Sequence, residues 1–336
     1  MSAVRSHTRP GPGARPAALI ARRPYLVLVL LVVGALLAGA CSRPAADEGS
    51  PDSDAAVSMD LAWPDEGQAS VAVEGIGSLG TKGRQTPVPI ASVTKVMTAH
   101  VILKDHPMKA GGAGASIVAD QQAADEAFSS VESAAPVLAG RSYTQRELLE
   151  IMMVSSANNV ARLLARWDAG GQEAFVAKMN RTAAALGMDR TTYTGVSGIE
   201  SDTRSTADDQ MKLARAAMKD PAFREIVATP AVTPPGGVRL TNTNKLLGRD
   251  GVVGLKTGSS TPAGGNLVWA ATQEVAGTPR LVIGVVLGQR AGSAPVEGSA
   301  AARDASLALI TSVREGLPAA VTRAAGQGGR PGSHSR

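Results

Sequence analysis

The chain has 336 residues, enough for one large α/β domain with an inserted lobe or for roughly two domains. Its formal charge of +5 equals the five arginines Arg5, Arg9, Arg15, Arg22 and Arg23, all ahead of an apolar run, so the rest is near neutral and gives nucleic-acid binding no footing. Aromatic residues make up only 3%, which argues against a platform for stacking sugars or bases.

Arg22-Arg23-Pro24 leads into the apolar run Tyr25 to Ala40, the basic-then-apolar layout of an export signal over residues 1–40. The run is shorter than the roughly 20 residues a spanning helix needs, and its arginine pair loosely resembles a twin-arginine signal. Cys41, the only cysteine, rules out a disulfide within the chain. It follows Ala38-Gly39-Ala40 as in a lipobox, although Ala38 stands where such signals usually carry Leu; simple cleavage after Ala40 is the alternative. The expectation is a lipidated Cys41, a disordered Pro- and acid-rich tether over 41–59, and a protein exported to the outer face of the cell membrane.

Residues 60–316 have globular patterning. Ala69 to Gly75 reads as a first strand and Gly77 to Thr86 as a turn. Val93 to Leu103 reads as a buried helix with Ser92 as its N-cap, and Lys95, one turn on, shares the face of Ser92. A serine hydroxyl becomes a useful nucleophile when an uncharged amine takes its proton, so the pair fits nucleophile and base. A capped helix with a surface lysine explains the same four residues, so the pair alone decides nothing.

A capping box at Thr144 and Glu147 opens a helix that ends at Ser155-Ser156-Ala157-Asn158-Asn159, and further helices run from Val160, Ala174 and Ser205. Residues 105–250 therefore read as a largely helical lobe. Lys256-Thr257-Gly258 follows on a strand, with apolar strands at Asn266 to Thr272 and Leu281 to Leu287, an antiparallel sheet, and a last helix from Ala300 to Glu315. Residues 317–336, Gly- and Arg-rich, are expected to be a disordered tail. The fold class is α/β (α+β).

Ser92-x-x-Lys95, Ser156-Ala157-Asn158 and Lys256-Thr257-Gly258, in that order on helix, junction and strand, form the triple set of penicillin-binding proteins and class A β-lactamases. Together with Leu186-Gly187-Met188, Phe223-Arg224-Glu225-Ile226-Val227 and Asn242-Thr243-Asn244-Lys245-Leu246-Leu247, they make the chain from Val71 to Leu287 resemble the D-alanyl-D-alanine carboxypeptidase family. The resemblance implies a β-lactamase/transpeptidase-like fold with the site in a cleft between an α/β lobe and a helical lobe. It implies no metal or other cofactor, a peptidoglycan stem peptide as substrate and β-lactams as covalent inhibitors.

By the same resemblance, Ser92 attacks the penultimate D-Ala carbonyl, Lys95 takes its proton and Ser156 relays a proton to the leaving D-Ala. Asn158 would hold Lys95 and the substrate amide, Lys256 and Thr257 the carboxylate, and Gly258 the peptide backbone, while the N–H groups of Ser92 and Ser259 would form the oxyanion hole. An arginine is expected near the carboxylate, and Arg290 is the nearest candidate. One competitor is a class A β-lactamase, which would need a deacylating Glu-x-x-x-Asn; residues 186–199 contain no Glu, and Glu200 lacks the Asn. The other is a non-catalytic wall-binding lipoprotein of this fold, which would be expected to have lost Ser92, Lys95 or Lys256.

Overall fold

The computed structural model describes Val57 and residues 59–328. The proposed export signal, Cys41 and most of the expected tether lie outside the described residues. Five antiparallel strands form the central sheet: β1 (Gln68–Val73), β2 (Gly77–Lys82), β9 (Val252–Ser260), β10 (Gly264–Val275) and β11 (Thr278–Gln289), in the order β2-β1-β11-β10-β9. Three short ribbons pair β3 (Val88–Pro89) with β6 (Arg204–Ser205), β4 (Ser116–Val118) with β5 (Ser142–Thr144), and β7 (Ala231–Val232) with β8 (Leu240–Thr241).

The apolar runs of the central strands follow from burial on both faces. Along β11, Val282 and Val286 enter one core, while Ile283, Val285 and Leu287 enter the other. On β10, Leu267, Trp269 and Ala271 face the first and Val268 and Ala270 the second, the period-2 alternation of a strand. Trp269 is fully buried opposite Gly284 in the register. A Cβ on Gly284 would sit 2.1 Å from the indole ring, so glycine is what lets the ring lie across β11.

One core joins the sheet to the helical lobe, made of α1 (Lys95–Asp105), α2 (Gln121–Glu126), α3 (Gln145–Ser155), α4 (Asn158–Ala169), α5 (Gln172–Ala185), α6 (Ala207–Ala217) and α7 (Pro221–Val227). The other lies beneath α8 (Pro295–Gly328). The box at the start of α3 forms as its sequence suggests: Glu147 N–H donates to Thr144 Oγ1 at 3.1 Å, and Thr144 N–H donates to Glu147 Oε2 at 2.7 Å.

Three expectations change. The segment 77–86 contains an edge strand, β2, whose Gly, Ser, Thr and Lys content hides a pattern in which Leu79 is the one buried residue. The last helix does not stop at Glu315 but runs to Gly328, because Leu317 and Ala320 are buried in the core under α8. Val57 belongs to that core and Met59 packs against it, so the folded part begins inside the expected tether. The two termini of the domain cover each other, a long-range contact that local composition does not encode.

Candidate active site

Ser92 is not a helix cap. It lies in a 3₁₀ turn, Ala91–Thr94, that runs directly into α1, whose N-cap position is taken by Thr94. Ala91 sits at φ +46°, a strained start that turns the chain sharply before the serine. The outcome expected of the motif holds nonetheless, because one turn of 3₁₀ helix also puts residues i and i+3 on the same face. Lys95 Nζ lies 2.9 Å from Ser92 Oγ.

Lys95 is wholly buried. Its amine also donates to Asn158 Oδ1 at 2.6 Å and to the Ser197 carbonyl at 2.7 Å. Burial pushes the Lys95 pKa well below the usual lysine range, Lys256 lowers it further, and Glu132 opposes the shift. A neutral amine has two N–H groups and one lone pair. With both N–H groups engaged by Asn158 and Ser197, the lone pair is left for the Ser92 hydroxyl. That is the arrangement a general base needs.

The second motif occupies the α3–α4 junction. Ser156 is in the left-handed region at φ +65°, which ends α3, and it lines the cleft. Asn158 and Asn159 begin α4. Asn159, fully buried, accepts from Ala135 N at 3.1 Å and donates to the carbonyls of Ala123 and Ala135, stapling the preceding loop in place.

The third motif lies on β9, the edge of the sheet, so one row of its backbone groups is not used by β10. Gly258 crosses so close to the nucleophile turn that a Cβ there would lie 2.7 Å from Ile90 O, 2.8 Å from Val93 N and 3.0 Å from Ser92 N. Lys256 is buried beneath this strand, where burial lowers its pKa to about 7, and it donates to the Thr257 carbonyl at 3.0 Å.

A cleft of about 340 Å³ opens over these elements. Ser92, Ser156, Thr257, Gly258 and Ser259 line it, whereas Lys95, Asn158 and Lys256 stand behind the wall. Asn158 was expected to touch substrate as well as Lys95; here it is 5% exposed, with its oxygen facing Lys95 and its nitrogen donating to Glu132 Oε2 at 2.8 Å. Arg290 does not line the cleft: it follows β11 in a turn where its N–H donates to Glu66 Oε1 at 3.1 Å. The arginine that does line it is Arg303, on α8.

Glu132, Arg162 and Ser197 escape the sequence reading, and Thr243, although it stands in a stretch that carries the resemblance, is given no role by it. Thr243 lines the cleft with its hydroxyl 2.7 Å from that of Thr257. Glu132 lies in a stretch without periodicity, so nothing local marks it. Arg162 does carry a signal, because four residues after Asn158 it must share that residue's helix face. Among the described residues, no cluster of His, Cys, Asp and Glu could hold a metal ion.

A family model described as D-alanyl-D-alanine carboxypeptidase matches residues 77–291. The chain is 37% identical over 207 residues to the D-alanyl-D-alanine carboxypeptidase DacB2 of Mycobacterium tuberculosis, covering 60% of this chain and 67% of that one. It is 34% identical over 227 residues to a D-alanyl-D-alanine carboxypeptidase of Streptomyces sp. strain K15, covering 62% and 76%. The crystal structure of the Streptomyces K15 DD-transpeptidase superposes with a TM-score of 0.63 at 29% identity, over 76% of this chain and 98% of that chain. With the matched span holding all three motifs and nearly all of the core between the sheet and the helical lobe, the chain belongs to the D-alanyl-D-alanine carboxypeptidase family of penicillin-binding serine peptidases.

Proposed function

We propose that the protein removes the terminal D-Ala from peptidoglycan stem peptides through an acyl-enzyme on Ser92. The observation that carries this reading is the buried amine of Lys95, with Ser92 Oγ on one side and two acceptors on the other. Ser92 Oγ bonds to the penultimate D-Ala carbonyl carbon while its proton passes to Lys95 Nζ. The carbonyl oxygen becomes an oxyanion that takes hydrogen bonds from the N–H groups of Ser92 and Ser259. The C–N bond then breaks as the leaving amine receives a proton through Ser156. Water then attacks the ester carbonyl, its hydroxyl bonds to the acyl carbon as the bond to Ser92 Oγ breaks, Ser92 takes a proton from that water, and the shortened peptide leaves as an acid that ionises.

Thr257 on the β9 edge suits the substrate carboxylate, and the backbone at Gly258 and Ser259 suits an added peptide strand. Lys256, in its protonated form below a pKa of about 7, supplies positive charge from beneath. Glu200 does not line the cleft, so no carboxylate stands where a lactamase would activate its deacylating water. A β-lactam should therefore remain attached. For localisation, the layout of residues 1–41 supports export and lipidation at Cys41, which would hold the enzyme on the outer face of the membrane. Loss of fatty-acid labelling in Cys41→Ser checks the lipid, and retained labelling would refute it.

The test of the catalytic reading is intact mass after incubation with benzylpenicillin, beside D-Ala release from a peptide ending in D-Ala-D-Ala. A stable one-to-one adduct and D-Ala release, both lost in Ser92→Ala, are expected. An adduct surviving in Ser92→Ala, or rapid penicillin turnover by the parent, would overturn the reading.

A further inference from the structure

Behind the cleft wall lies a chain of side chains that the three motifs do not include. Asn158 Nδ2 donates to Glu132 Oε2 at 2.8 Å. Arg162 NH1 donates to the same oxygen at 3.1 Å, and Arg162 NH2 donates to Glu132 Oε1. From α2, Glu126 Oε2 accepts from Arg162 Nε at 2.7 Å. The Glu132 and Arg162 side chains are 11% and 13% exposed, so the pair is largely shielded from water. The loop carrying Glu132 is fixed immediately after it: Ser133 O accepts from Asn158 N at 2.8 Å, and Ala135 is bonded through both its N–H and its carbonyl to Asn159.

An asparagine amide has two ends of nearly the same shape and opposite hydrogen-bonding sense. Lys95 is served only if Asn158 turns its oxygen inward. An ionised carboxylate accepts and cannot donate, so a carboxylate on the far side admits only the NH₂ end. We propose that Glu132, clamped by Arg162, is a positioning residue for acylation: it fixes the amide of Asn158 with its oxygen on Lys95 and keeps a negative charge behind that amide, one side chain away from the amine. The inference rests on Lys95 acting as the general base.

The two effects are separable. Hydrogen bonds from Arg162 hold the Glu132 carboxyl below the usual range, so it stays ionised wherever the enzyme works. The charged groups acting on Lys95 are Lys256 from β9 and Arg162 from α4, which favour its neutral form, and Glu132 and Glu200 from the two flanking loops, which favour the cation. Removing the Glu132 charge therefore makes Lys95 easier to deprotonate. Removing its acceptor frees Asn158 to rotate and face Lys95 with a donor.

The experiment measures the second-order acylation rate with a fluorescent penicillin from pH 5 to 9 in the parent, Glu132→Gln and Glu132→Ala, each verified as folded by its thermal transition. Gln keeps an acceptor for Asn158 without the charge: its plateau should stay within about threefold of the parent while its acid limb moves to lower pH by about half a unit or more. Ala loses both, and its plateau should fall at least about tenfold. Glu126→Gln, which touches Arg162, Gln122 and Arg166 but neither Asn158 nor Lys95, should leave the limb in place. Limbs at the parent pH in both Glu132 variants would overturn the proposal even if their rates fell, because a merely structural role lowers rate or stability without moving the limb. A parent profile with no acid limb would instead refute Lys95 as the base.

Discussion

Replacing Gly258 with alanine asks how closely the β9 edge must approach the nucleophile. The φ of Gly258 lies outside the left-handed region, so the added methyl brings no backbone penalty and acts only through space. That space is absent: the Cβ would lie 2.7 Å from Ile90 O, 2.8 Å from Val93 N and 3.0 Å from Ser92 N, all main-chain atoms of the turn that carries Ser92. Ordinary contact begins near 3.4 Å, so strand and turn must part by about 0.7 Å. Overpacking of this kind costs about 1–3 kcal/mol of stability, which a domain of this size can absorb. A misplacement of about 1 Å can cost on the order of 100-fold in rate, so acylation by benzylpenicillin should fall by about 10- to 100-fold. The assay is adduct formation against time by intact mass, with urea unfolding run in parallel to establish the folded fraction. A folded Gly258→Ala protein acylated within threefold of the parent rate would refute the view that this contact sets the oxyanion geometry.

Stability should rise with pH over the range in which Lys256 titrates. The folded protein holds Lys256 near pKa 7, against 10.5 for an ordinary lysine, so between these values the unfolded chain carries a proton that the folded one lacks. The contribution is largest above 10.5 and is lost as pH falls towards 7, at about 1.4 kcal/mol per unit and at most about 5 kcal/mol in total. Urea midpoints should therefore increase from pH 7 to pH 9.5, less steeply in Lys256→Met; a parent midpoint that falls over this interval contradicts the assignment. Asn159→Ala removes three hydrogen bonds from a fully buried side chain and leaves Ala135 N, Ala123 O and Ala135 O without those partners, which should cost about 3 kcal/mol. It should also speed proteolytic nicking between residues 127 and 134; a loss under about 1 kcal/mol with unchanged nicking would mean the loop is held by something else.

The motif residues were legible because each is fixed within a few positions of its own element. Ser92 and Lys95 meet across one turn, Ser156 marks a helix junction, and Lys256-Thr257-Gly258 occupies consecutive places on one strand. The resemblance placed these three pieces in one site; no local pattern could. Misreadings have the same physical origin. The sequence of β2 reads as a turn because an edge strand needs few apolar residues, and the end of α8 reads as a tail because the core that buries Leu317 and Ala320 includes Val57 and Leu61 from the opposite end of the domain. Glu132 and Arg303 reach the site region from a loop and from α8, through contacts that span 26 residues in the case of Glu132 and Asn158.

The unusual chemistry belongs to the junction between the lobes more than to any one motif. Lys95 sits at the first position of α1, yet the helix does not make it a base. Its amine is desolvated because the helical lobe closes over α1 while β9 crosses the turn in front of it, and Lys256 on that strand adds its charge from the other side. Drawing β9 away from the turn would therefore do more than open the oxyanion site. It would admit water to Lys95, restore its ordinary basicity, and leave Ser92 beside an ammonium group unable to take its proton. In this architecture the closeness allowed by Gly258 and the neutrality of Lys95 are two results of one packing arrangement, so substitutions that loosen the strand should lower the acylation plateau and move its acid limb upward together.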